Sequence, residues 1–94
     1  MTEPVPLLIV EDDAPIRALL VSALAAAGYR PVEAATAREA LTALAEARPH
    51  AVLLDLGLPD RDGLELVPLL RGAGAAVVIL SARDATAEKV AALD

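Results

Sequence analysis

Short apolar runs alternate along the chain with longer segments whose apolar residues recur at helical spacing. The runs at residues 5–10, 50–54 and 75–80 are apolar on both faces, as is typical of strands inside a parallel sheet. A shorter strand is predicted at residues 30–34. Proline cannot donate a hydrogen bond to a neighbouring strand, so Pro31 indicates that this strand lies at a sheet edge.

Helix start and stop signals separate these strands. Asp13 is placed to cap a first helix, with Pro15 in its first turn and Gly28 just past its end. Thr36 and Glu39 have the spacing of a capping box and open a second helix, which ends before proline 49.

A third helix is predicted from a second capping-box spacing, Asp62 and Glu65, to about Arg71. Pro68 lies inside this segment and predicts a kink that costs about 3 kcal/mol. A further helix begins at residues 84–93. Alternating strands and helices with short loops predict right-handed crossovers and an α/β fold, a parallel sheet covered on both faces.

Polar side chains stand where the predicted strands end. Glu11, Asp12 and Asp13 follow the first strand, Asp55 follows the third, and Ser81 closes the fourth. Ligands of open parallel sheets bind beyond the carboxyl ends of the strands. Converging carboxylates repel one another unless a hard divalent cation lies among them, so the pattern indicates magnesium-assisted phosphoryl transfer. Asp13 is interpreted as a helix cap.

Composition narrows the class of protein. The 94 residues suffice for one domain with a modest core, 56% of them are hydrophobic, and there is no cysteine for a disulfide. No apolar stretch reaches the length of a membrane span, and Glu3 and Pro4 argue against a signal peptide, so we expect a soluble cytoplasmic protein. The net charge of −6 argues against nucleic-acid binding by this segment.

Several motifs together resemble the receiver domain of bacterial two-component response regulators over residues 7–94. Within that family the chain is most similar to the winged-helix class and to its KdpE-like subfamily, the regulators of potassium-transport genes. The motifs that carry the resemblance are Val10-Glu11-Asp12-Asp13, Leu53-Leu54-Asp55-Leu56-Gly57-Leu58-Pro59-Asp60, Gly63, Leu80-Ser81-Ala82-Arg83 and Ala91-Ala92-Leu93-Asp94.

The resemblance implies a flavodoxin-like, CheY-like doubly wound parallel sheet with strand order 2-1-3-4. Residues 1–94 then form a C-terminally truncated receiver domain that stops at the start of the fourth helix. The family's fifth strand, last helix, phosphoryl-binding lysine and switch aromatic are expected to be missing, as is the DNA-binding effector domain.

The resemblance also implies roles for individual residues. Asp55 would be the phosphoacceptor for a histidine kinase, and Ser81 the switch hydroxyl. Asp12, Asp55 and the Gly57 carbonyl would coordinate Mg²⁺ directly, and Glu11 would reach it through water. The chain would not be an enzyme, beyond weak self-dephosphorylation at most.

Two alternative interpretations assign the chain to a different functional class. A phosphatase of the haloacid dehalogenase type also uses a strand-end aspartate and magnesium, but it needs a second aspartate two residues on, where Gly57 stands here. The other is a receiver remnant that binds protein partners without accepting phosphate.

The fourth strand carries a further expectation. Without a fifth strand, residues 76–80 would form an apolar, β-branched sheet edge that lacks charge and proline, the profile of a strand that pairs with other chains. The sequence therefore predicts self-association through this edge.

Overall fold

A computed structural model describes residues 3–80 of the chain. Ser81 and the helix predicted at residues 84–93 lie outside this range. Within it, none of the helices combines the length and the apolar character needed to cross a membrane.

Strands and helices alternate in the predicted order, apart from an additional 3₁₀ turn before the last helix. The elements are β1 (Pro6–Val10), α1 (Ala14–Ala26), β2 (Arg30–Ala34), α2 (Ala37–Ala47), β3 (Ala51–Asp55), the 3₁₀ turn (Gly63–Leu66), α3 (Val67–Gly72) and β4 (Ala76–Leu80).

The four strands form one parallel sheet in the order β2-β1-β3-β4, which confirms the predicted α/β fold and strand order. The strand that contains Pro31 lies at the sheet edge, as its missing N–H predicts. At the opposite side of the sheet, β4 is the outermost strand among residues 3–80.

One face of the sheet carries the hydrophobic core. Alternate residues of the strands pack there against α2, the 3₁₀ turn and α3, because side chains along a strand point to opposite faces in turn. The fully buried members of this core include Leu8, Val10, Val52, Leu54, Leu66 and Leu70.

The opposite face is only partly covered by the described residues. α1 packs against β1 and β2, yet none of its residues is fully buried, and Leu19 is 71% exposed. On β4, Val78 is 47% exposed. Within residues 3–80, the expected cover on both faces is therefore complete on one face only.

The first two helices begin as predicted. The Asp13 carboxylate accepts a hydrogen bond from the amide of Ile16 at 3.0 Å, and Pro15 lies in the first turn of α1. In the second helix, the Thr36 hydroxyl oxygen accepts from the amide of Glu39 at 3.0 Å.

The prediction for the third helix was wrong in its local structure. The Asp62 carboxylate accepts from the amide of Leu64, not of Glu65, and the chain forms a 3₁₀ turn before α3 starts. Pro68 consequently stands in the first turn of α3, where a missing N–H is tolerated, and the expected kink and its cost do not arise.

Candidate functional site

The sheet register brings the two acidic strand ends together. β1 and β3 are neighbours with Val10 opposite Leu54, so Glu11 and Asp55 follow side by side at the carboxyl edge of the sheet. Glu11, Asp12 and Asp55 each offer one carboxylate oxygen, and these three oxygens lie within 4.8 Å of one another. The convergence that the strand ends predict is present in the structure.

The three carboxyl groups differ in their exposure to solvent. Glu11 is 6% exposed and Asp55 is 4% exposed, whereas Asp12 faces solvent. Burial raises the pKa of Glu11, and the charge of Asp55 and hydrogen bonds with Asp12 and Asp55 add to this effect. With the opposing effect of the Asp13 amide included, the pKa rises from 4.5 to about 7. Among the causes that raise this pKa, burial is larger than repulsion by the Asp55 charge.

The donor set fits a magnesium ion. Mg²⁺ prefers oxygen ligands, keeps several waters and uses few carboxylates, so one exposed and one buried aspartate are sufficient protein side chains. A nearby divalent cation would favour the ionised form of Glu11, which its surroundings otherwise disfavour. The cluster has the chemistry of a hard-cation site.

Hydrogen bonds hold the acidic loop after β1 from both sides. The Glu11 amide donates to the Ala34 carbonyl at 3.0 Å, and the Glu11 carbonyl accepts from Arg17 Nη1 at 2.8 Å. Arg17 Nε donates to Glu33 at 3.1 Å, so this side chain joins α1, β2 and the loop. The Glu11 carboxylate also accepts from the Asp13 amide at 3.1 Å.

The loop after β3 is closed on itself beside Asp55. Gly57 and Asp62 form an antiparallel bridge, and the Gly63 amide donates to the Leu56 carbonyl at 2.9 Å. A Cβ at Gly63 would stand 2.7 Å from Leu56 Cα and 2.8 Å from the Asp55 carbonyl oxygen. Only glycine fits at this close approach of two backbone segments.

The tip of the same loop is bonded to α2. The Asp60 carboxylate accepts from the amides of Ala37 at 2.9 Å and Arg38 at 3.0 Å. These bonds hold the pKa of Asp60 below its usual value, because they stabilise the ionised form.

Two predicted site residues are not among the three converging carboxylates. Ser81 lies outside the described residues. Gly57 is half-buried in the loop beside Asp55, and the use of its carbonyl as a metal ligand remains a prediction.

Sequence reasoning missed Arg17 and Asp60. The motif does place Asp60 directly after Pro59, which indicates a turn, but nothing in the spacing connects it with a helix 22 residues earlier. The partners of Arg17 become visible only when β1, β2 and α1 are packed together.

Comparison with known proteins points to one family. Residues 7–94 match the Response regulator receiver domain. The phosphatase alternative finds no support in this match.

Among curated relatives, the chain is 47% identical over 88 residues to the KDP operon transcriptional regulatory protein KdpE of Escherichia coli, covering 93% of this chain and 39% of that protein. It is 43% identical over 93 residues to the response regulator MprA of Mycolicibacterium vanbaalenii, covering 97% of this chain and 40% of that protein. The chain thus spans well under half the length of these relatives, and the predicted KdpE-like character is confirmed.

Solved structures agree with the fold. A putative response regulator from Chloroflexus aurantiacus superposes with a TM-score of 0.85 at 32% identity, covering 96% of this chain and 77% of that one.

Proposed function

The chain belongs to the response regulator receiver domain family, and on that premise we propose that it accepts a phosphoryl group on Asp55 from a histidine kinase. The observation that carries the proposal is the convergence of Glu11, Asp12 and the buried Asp55 at the carboxyl edge of the sheet. This arrangement provides a nucleophile together with ligands for a cation.

The proposed phosphoryl transfer is a single displacement at phosphorus. An Asp55 carboxylate oxygen attacks phosphorus, the bond from phosphorus to the donor nitrogen breaks, and the donor imidazole keeps the electron pair. The product is an acyl phosphate on Asp55. Magnesium, when bound, neutralises charge on the phosphoryl oxygens.

The surrounding side chains have separate proposed tasks. Asp12, Asp55 and the Gly57 carbonyl would hold the metal directly, and Glu11 would hold it through water. Ser81 supplies the switch hydroxyl. No residue is assigned to turnover of a free substrate, so the chain is a phosphoacceptor with weak self-dephosphorylation at most.

The regulatory context follows from the relatives. KdpE of Escherichia coli is a transcriptional regulatory protein, and this chain is 47% identical to it over 88 residues. We propose that the receiver serves a KdpE-like transcriptional regulator, with a sensor histidine kinase as its partner and no nucleic-acid contact through this acidic segment.

A magnesium titration followed by amide NMR tests the site. Millimolar Mg²⁺ is expected to shift the amide signals of Asp12, Asp55 and Gly57 in the unmodified chain. Asp12→Asn should weaken the response, since it removes one ligand charge. Identical spectra with and without Mg²⁺ would overturn the site assignment.

Self-association through β4 is also part of the proposal. Among residues 3–80, β4 has a strand partner on one side only, and Val78 on its face is 47% exposed. Strand pairing between two copies would satisfy backbone groups along this edge and cover its apolar side chains.

A further inference from the structure

The first turn of α2 is completed by a side chain from another part of the chain. The amides of Ala37 and Arg38 donate to the two carboxylate oxygens of Asp60, 23 and 22 positions away in sequence. The next amide, that of Glu39, donates to the hydroxyl of Thr36. Because Ala37 is fully buried, removing Asp60 takes away the protein acceptor that its amide uses.

Asp60 belongs to the closed loop that directly follows Asp55, the proposed phosphoacceptor at the end of β3. It lies between Gly57 and Asp62, which bridge to each other, and Leu56 and Leu58 anchor the loop in the core at 7% and 9% exposure. Because the loop is closed by this bridge and anchored in the core, we expect a displacement at Asp60 to reach the Gly57 backbone.

The start of α2 is also connected to the acidic loop after β1. Two residues separate α2 from β2, whose last residue, Ala34, accepts a hydrogen bond from the Glu11 amide at 3.0 Å. Glu11 is therefore connected to Asp60 in three steps. These are the hydrogen bond from Glu11 to Ala34, the backbone from Ala34 to the start of α2, and the hydrogen bonds from α2 to Asp60. This connection joins the two acidic loops independently of the pairing between β1 and β3.

We propose that Asp60 is a positioning residue: its bonds to α2 hold the loop with Asp55 and Gly57 in register with Glu11 and Asp12. The inference rests on the proposed function, because the distance it maintains matters for metal binding and phosphoryl acceptance. Asp60 itself does not touch the metal or the phosphoryl group.

Three variants separate positioning from simple stabilisation. Asp60→Ala removes both acceptor oxygens, Asp60→Asn keeps one, and Glu46→Gln removes the same charge from an exposed site on α2. Mg²⁺ affinity is measured by NMR at a temperature where each variant gives a folded spectrum. We expect Asp60→Ala to weaken binding by about tenfold, Asp60→Asn to weaken it less, and Glu46→Gln to bind like the unmodified chain.

A reciprocal measurement uses the unmodified chain. If Asp60 couples the loop to α2, Mg²⁺ must in turn slow hydrogen exchange at the Ala37 and Arg38 amides, since coupling between two sites acts in both directions. If Asp60 were merely structural, its replacement would lower the free energy of unfolding and leave the Mg²⁺ affinity of folded molecules unchanged.

The outcomes are distinguishable from failure of the proposed function. Equal Mg²⁺ affinity of Asp60→Ala and the unmodified chain would overturn the positioning role alone. Absence of any Mg²⁺ response in the unmodified chain would overturn both the role and the proposed function.

Discussion

Glu11 is the residue at which burial and charge act against each other. Its side chain is nearly excluded from solvent beside Asp55, and its pKa is raised from 4.5 to about 7. Ionising this carboxyl therefore costs more free energy in the folded chain than in the unfolded chain. A bound cation would offset that cost, so the residue connects stability, pH and metal binding.

The pH dependence of stability follows from this shift. Between about pH 4.5 and 7 the folded chain holds a proton on Glu11 that the unfolded chain has released, so the free energy of unfolding falls as pH rises through this window. We expect a fall of roughly 1–3 kcal/mol in metal-free buffer, and recovery at pH 8 when Mg²⁺ is added.

Urea unfolding followed by circular dichroism at several pH values measures this effect. Glu11→Gln is the control, because it should lack most of the dependence in this window. A free energy of unfolding that stays constant or rises from pH 5 to 8 in the unmodified chain would contradict the account.

Gly63 offers a second test on a single residue. Gly63→Ala places a methyl group against the backbone of Leu56 and Asp55, which cannot give way as a flexible side chain could. We expect a loss of about 1–3 kcal/mol in the free energy of unfolding and weaker Mg²⁺ binding.

The matched control is Gly72→Ala. Gly72 ends α3, and a Cβ there meets nothing within 4 Å. This variant should be neutral or slightly stabilised, because alanine loses less conformational freedom than glycine on folding. Equal losses in both variants would show that the close approach at Gly63 does not matter.

At the scale of elements, what could be predicted was local or strictly periodic. The caps by Asp13 and Thr36 depend on neighbouring residues, and the strands depend on alternating faces. Pro68 was misjudged because a 3₁₀ turn and a helix with proline in its first turn present the same spacing as one kinked helix. The strand order came from the family resemblance, with Pro31 as independent support.

The long-range bonds were not predictable from sequence. Asp60 and Arg17 belong to residue types that are usually solvated, and their partners are fixed by how the elements pack. The acidic cluster was predictable because parallel strands bring their carboxyl ends to one edge, and the strand order implied by the resemblance places β1 beside β3. Burial of Glu11 depends on packing and was not anticipated.

Arg17 tests how firmly α1 and β2 hold the acidic loop. Arg17→Gln removes a charge-assisted bond to the Glu11 carbonyl and the ion pair with Glu33. We expect a loss of about 1–2 kcal/mol in the free energy of unfolding. Arg30→Gln, an equal charge change at an exposed position of β2, should cost much less. Similar losses in the two variants would contradict a specific role for Arg17.

At the scale of the whole molecule, the uneven cover that residues 3–80 give to the two faces of the sheet predicts association. Val78 on β4 and Leu19 on α1 are large exposed apolar residues on the less covered side. We expect the chain to form larger species as its concentration rises, and Val78→Lys to suppress them by placing a charge on β4. Light scattering across a concentration series measures this. A monomer at high concentration, unaffected by the lysine, would contradict self-association through β4.

The fold places the buried Asp55 carboxylate beside those of Glu11 and Asp12 at the edge of the sheet. The register between β1 and β3 sets the position of Asp55 relative to Glu11, and the closed loop after β3 sets its backbone. Asp62 and Asp60 belong to the same loop but bond to backbone amides, so neither is expected to accept a phosphoryl group.

Intact-protein mass spectrometry after incubation with acetyl phosphate and Mg²⁺ tests the central claim most directly. We expect a single phosphoryl adduct on the unmodified chain, loss of the adduct when Mg²⁺ is chelated, and none on Asp55→Asn. Asp60→Asn and Asp62→Asn should still be modified, the former more slowly. An adduct that persists on Asp55→Asn, or no adduct on the unmodified chain, would contradict phosphoryl acceptance at Asp55.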